Sequence, residues 1–176
     1  CLVGSEMCIR DRAYYRSKAL VGIAQAMAQA GAMEQAQAIL HQAIETAQQI
    51  EKPDNFLYWA MTELHIDVLP IHLWALVSIA QAMAQAGIGE PDLWHELIQT
   101  AEQIEWTYFR SRVLVELGKV LAQGLAQVGA MEAGQSVLQG CIEIAQEIER
   151  ASSRSWVLAD IAQAMAQIGA TEEAQA

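Results

Sequence analysis

The residues of this 176-residue chain with the chemistry for catalysis or metal binding are few, and they do not gather. Four histidines, His41, His65, His72 and His95, are the natural places to look for a metal ligand or a proton carrier near neutral pH. His65 and His72 are seven residues apart with Pro70 between them. No pair has the i,i+4 spacing that puts two imidazoles on one helical face around zinc, and His95-Glu96 lacks the second histidine of that motif. A serine nucleophile calls for a Gly-x-Ser-x-Gly elbow and a phosphate site for a Gly-rich loop entering a helix; neither is present. Glu45, Glu143 and Glu147 fall on what would be solvated helix faces. The expectation is a non-enzyme with no catalytic residue, no cofactor and no metal.

Charge narrows the partners. Twenty-one Asp and Glu against ten Lys and Arg leave a net charge of −11, so there is no basic stripe to track a phosphate backbone. Nucleic acid is excluded on that ground. At 53% hydrophobic the chain has ample material for a core. Val68 to Gly89 carries no formal charge, yet it contains Pro70, His72, Gln81 and Gln85, with the two glutamines on one helical face. That polar stripe argues against a membrane span, and a soluble cytoplasmic protein is expected.

What must position any functional residue is a repeat. Ile23 to Gly31 reads IAQAMAQAG, Ile79 to Gly87 repeats it letter for letter, and Leu121 to Gly129 and Ile161 to Gly169 are close copies. Alanine, Gln, Leu, Ile and Glu dominate, only three prolines interrupt them, and no alternating β-branched run occurs, so the class is all-α. In the first unit a helix A is expected over about 17–30, with Leu20, Ile23, Ala24, Met27 and Ala28 as its buried stripe. Gly31 ends it as a left-handed cap. A helix B follows over about 33–51, with Ala36, Ile39, Leu40, Ala43, Ala47 and Ile50 inward. The units fall near 13–52, 71–105, 106–150 and 151–176, the last cut short inside its helix B. Pro91 suits a first helical position in the second unit. The third unit has one extra helical turn, which rotates its apolar face by only about 40°. Between units one and two, Pro53 to Pro70 brackets Phe56, Leu57, Ala60, Met61, Leu64 and Val68 at helical spacing, an inserted helix over about 54–68.

Each unit resembles a tetratricopeptide repeat. The helix A pattern of that family falls on Leu20, Ile23, Ala24 and Met27, and its helix B pattern on Ala36, Leu40 and Ala43, with Gly134, Leu138 and Cys141 in unit three. Leu and Met replace the family's aromatics, helix B outruns its closing proline, and Gly129 to Gly169 spans 40 residues. The resemblance, to an elongated Ala/Gln-rich bacterial type, covers nearly all of 13–176. It implies an α-solenoid of antiparallel helix pairs wound as a right-handed superhelix. Residues 1–12, CLVGSEMCIRDR, share nothing with the repeats and resemble translated sequencing-adapter sequence. They are read as a non-native tail, and the rest as a fragment of a longer protein. Without them Cys141 is the one remaining thiol, at the place of Ala43 in unit one, which points to a small buried residue and no disulfide framework.

One recurring set is left over from packing and capping. Gln25 and Gln29 return as Gln81 and Gln85, Gln123 and Gln127, and Gln163 and Gln167. Seven residues before each pair stand Lys18, Trp74, Glu116 and Trp156. The resemblance implies a concave groove lined by helix A, so this ridge is the candidate surface for a protein or peptide partner, in a non-enzymatic interaction scaffold. The alternative is a structural spacer or self-assembly segment. Arg16-Ser17, Arg110-Ser111 and Arg154-Ser155 also recur, with the serines expected as N-caps and the arginines reaching a glutamate such as Glu105 or Glu149.

Overall fold

The computed structural model describes residues 3–50, 71–105 and 107–169, with backbone alone for 3–12, 71 and 72. Among the described residues the chain forms seven α-helices and no strand: α1 Val3–Gln29, α2 Met33–Gln48, α3 Ile71–Gln85, α4 Pro91–Glu102, α5 Thr107–Gln127, α6 Met131–Gln146 and α7 Ala151–Gln167. They divide into two compact units, Cys1–Ile79 and Ala80–Ala176. The expected inserted helix over 54–68 lies outside the described residues.

Each helix A stops as its sequence dictates. Gly31, Gly87, Gly129 and Gly169 all have positive φ, between 67° and 87°. At the first, Ala32 N–H donates to Met27 O at 2.9 Å and Gly31 N–H to Ala28 O at 3.0 Å. This six-to-one and five-to-two pairing satisfies two carbonyls that the helix end would leave without partners. The same pairs recur at Ile88 to Met83 with Gly87 to Ala84, and at Ala130 to Leu125 with Gly129 to Ala126. In each case a three- to five-residue turn then delivers the chain into the next helix. Pro91 opens α4 as expected, since a first-turn N–H has no intrahelical acceptor.

In the first unit α1 packs on α2. The buried residues of α1 are Ser17, Val21 and Ala24, and those of α2 include Ala36, Leu40, Ala43 and Ile44. Ser17 Oγ donates to Ala43 O at 3.2 Å in the interior, satisfying both groups where water is excluded. Two expectations are corrected here. Ile23 is 46% exposed, whereas Ile79 and Ile161 at the same register are buried. Ile161 is covered by residues of α5 and α6, while Ile23 is turned away from the Ser17–Val21–Ala24 face that meets α2. Helix α1 also begins at Val3, not near Ser17. Residues 3–12 contain no proline, and once the helix is nucleated each further residue adds a hydrogen bond, so extension is cheap.

In the second unit α5 packs on α4 and α6, and α7 packs on both α5 and α6. Val115 and Ala122 of α5, Leu138, Cys141 and Ala145 of α6, and Val157, Ile161 and Met165 of α7 form one buried cluster. Close approach is by small residues. A Cβ placed on Gly118 would lie 2.2 Å from Cys141 Sγ, and one on Gly134 would lie 2.9 Å from Ala122 O. Gly124 meets Ala84 of α3 at 3.5 Å in the same way. Helix α2 ends at Gln48, three residues before the expected end near 51, and α7 begins at Ala151, four residues before the Ser155 expected as its N-cap.

Candidate partner-binding ridge

The second unit sets α5 beside α7, and three contacts cross between them, supported by a charge cluster within α5. Arg112 places its guanidinium carbon 4.1 Å from the centroid of the Trp156 ring. Glu116 receives Lys119 at 3.2 Å and lies 3.7 Å from Arg112. Lys119 crosses to Asp160 of α7. Gln123 Nε2 donates to Gln167 Oε1 at 3.2 Å across a sequence separation of 44. Arg112 and Trp156 are also 44 apart, and so are the first residues of the two helices, Thr107 and Ala151.

Two registers therefore coexist. Counted back from the cap glycines, the copies are 40 residues apart, which pairs Gln123 with Gln163 and Glu116 with Trp156. Side by side, the neighbours are Gln123 with Gln167 and Arg112 with Trp156, each 44 apart, while the long Lys119 side chain reaches back one turn to Asp160, 41 residues on. The helices start flush, and the extra turn of α5 projects past the end of α7. Sequence alignment finds the first register because the cap is conspicuous. The second needs the tertiary contact.

This rearranges the expected ridge. Trp156 is 46% exposed, and its ring covers Arg112, whose side chain is only 9% exposed and whose Nη1 has no hydrogen-bond partner among the described residues. Glu116 is half-buried and held by Lys119, so it is not a free acceptor on the surface. Gln123 is half-buried and tied to Gln167, while Gln127 and Gln163 are exposed. On α3, Trp74 is 42% exposed, and Gln81 and Gln85 are exposed too, with Gln85 in a further interaction. On α1, Lys18 and Gln29 are exposed, and Gln25 is half-buried and engaged. Contact thus joins Glu116, Gln123, Trp156 and Gln167 in one strip. Arg112, Lys119 and Asp160 belong to it and were not anticipated. Their signal in sequence is weak, charged residues set among the apolar positions of their helices.

The recurring Arg-Ser pairs are not what their sequence suggested. Arg110 Nη1 donates to Ile104 O at 3.4 Å, and Arg154 Nη1 to Ile148 O at 3.0 Å, each six residues back. Each accepting carbonyl lies two residues past the end of the preceding helix, α4 or α6, so each arginine fastens the turn that leads into its own helix. Ser17 and Ser111 are buried inside α1 and α5, and Ser155 lies within α7, so none is an N-cap.

Comparison with known proteins adds no identity: no family model matches the chain, and no curated protein matches it. The geometry has to speak alone. Among the described residues no three of His, Cys, Asp and Glu converge, and His95 is engaged with Gln99 at 2.9 Å on the surface. Burial pushes the Cys141 thiol up to about 11, so it is protonated at neutral pH and a poor nucleophile. No described helix is long and apolar enough to cross a membrane. The strip presents a half-exposed indole, a pair of hydrogen-bonded amides and charges that neutralise one another.

Proposed function

We propose that the chain is a tetratricopeptide-like α-solenoid of antiparallel helix pairs, acting as a non-enzymatic interaction scaffold for a peptide or partner domain in the cytoplasm. The observation that carries the architecture is the flush stacking of α5 on α7, two copies of helix A side by side. It is joined by pairing that runs inversely along α5 and α6, Gly118 meeting Cys141 while Ala122 meets Gly134. Repeats that each bury too little to stand alone need such stacking. The candidate partner surface is the helix A ridge of each unit, with Trp74 as the anchor in the first and Trp156 in the second, because half-exposed tryptophans supply large apolar area with a polar edge.

One observation favours the second reading, a structural spacer. Glu116, Gln123, Trp156 and Gln167 are engaged with residues of the array itself, as junction residues would be. Panning a random-peptide library on the full chain separates the two. The scaffold reading expects enriched peptides whose binding drops at least tenfold on Trp74→Ala, Trp156→Ala or the pair Gln163→Glu and Gln167→Glu, with helicity unchanged. No enrichment, or peptides that bind all variants equally, would leave the spacer.

A further inference from the structure

We propose that a cavity in the second unit, walled by α4, α5 and α6, is a binding site for a compact, uncharged aromatic molecule of one or two rings. Within a helix pair the packing register is set by the cap glycine, and eleven residues before it stand Leu20, Leu76 and Leu158 in three copies. The fourth has Gly118. Its partner across the pair is Cys141, where the first unit has Ala43. Exchanging Leu with Ala for Gly with Cys removes more side chain than it adds. What remains is a partly open cavity of about 220 Å³ beside Gly118 and Cys141.

The lining decides what fits. Trp94 and Ile98 of α4, Leu121 of α5, and Val137 and Ile144 of α6 form the walls with Gly140, and no lining side chain is charged or carries an amide or hydroxyl. An ionised or strongly polar ligand would shed its hydration there without a partner, so phosphates, sugars and free amino acids are excluded. Size sets the scale: a dry apolar cavity of about 150 Å³ holds benzene, so 220 Å³ suits a substituted single ring or two fused rings. The Trp94 ring and the Cys141 sulfur both interact well with an aromatic partner, which favours rings over alkyl chains. None of this depends on the helix A ridge.

Toluene is the probe, titrated into the full ¹⁵N-labelled chain. The Gly118 and Gly140 amides report on the cavity, and those of Gly31 and Gly169 serve as remote controls. The expected result is a saturable shift confined to the first two, with a rise in Tm. A Cβ added at Gly140 meets nothing within 4 Å, so Gly140→Leu keeps the fold while growing a side chain from the cavity wall. It should weaken toluene binding at least tenfold. Gly118→Leu with Cys141→Ala recreates the pair found in the first unit and should do the same. A non-saturating shift, one shared by all the glycines, or undiminished binding by Gly140→Leu overturns the proposal.

Discussion

Replacing Gly118 by alanine tests the closest contact in the second unit. The added Cβ would lie 2.2 Å from Cys141 Sγ and 3.6 Å from Val137 Cγ1. The sulfur must therefore give way by more than an ångström, and overpacking of this kind costs about 1–3 kcal/mol. Against it stands the helix propensity of alanine, about 1 kcal/mol better than glycine in a helix interior. Gly118→Ala alone should then be destabilising by up to about 2 kcal/mol, or nearly neutral if the thiol swings into the neighbouring cavity. In a Cys141→Ala background the clash is gone, and the same change should stabilise by about 1 kcal/mol. The coupling between the two sites is the informative quantity, expected at about 1–3 kcal/mol. Urea unfolding followed by far-UV circular dichroism measures all four corners of the cycle. If Gly118→Ala is equally stabilising in both backgrounds, with a coupling under about 0.5 kcal/mol, the helices do not meet as described.

Three other outcomes follow from the same structure. Gly31→Ala should cost about 1–2 kcal/mol from backbone strain alone, since φ is 81° and nothing lies within 4 Å of the added Cβ; Gly89→Ala, without positive φ, should cost nothing in the same melts. Lys119→Met leaves Glu116 and Asp160 without their shared cation in a half-buried strip, and should cost about 1–3 kcal/mol, part of it recovered by Asp160→Asn. The Cys141 thiol, raised by burial from its ordinary value of 9.0 to about 11, binds its proton more tightly folded than unfolded. Its contribution is complete below pH 9 and is lost as pH rises to 11, about 2–3 kcal/mol in all, so Cys141→Ala should flatten that part of an alkaline stability profile.

Much of the helical framework was legible because it rests on local rules. The cap glycines, the Pro91 start and the buried place of Cys141 follow from conformational freedom at φ above zero, a missing N–H and apolar period, all of which act within a few residues. Ile23 was misjudged for the opposite reason. Its letters match Ile79 and Ile161, but burial depends on which helices lie beside it, and that is not written in the nine-residue motif. Arg110 and Arg154 were seen to recur, yet their acceptors are backbone carbonyls, which every residue carries and no sequence pattern marks.

The sequence by itself determined the helical class, the repeat and where each helix A stops, since helix formation and termination are short-range events. Only the tertiary structure decided which residues of neighbouring copies touch. The lateral register of 44 differs from the cap register of 40 because α5 and α7 align at their starts, and packing of side chains on facing helices, not the position of a glycine, fixes that alignment. Tertiary packing joined Arg112 to Trp156 and Lys119 to Asp160, and the missing leucine at Gly118 left a cavity among three helices that no one of them encodes.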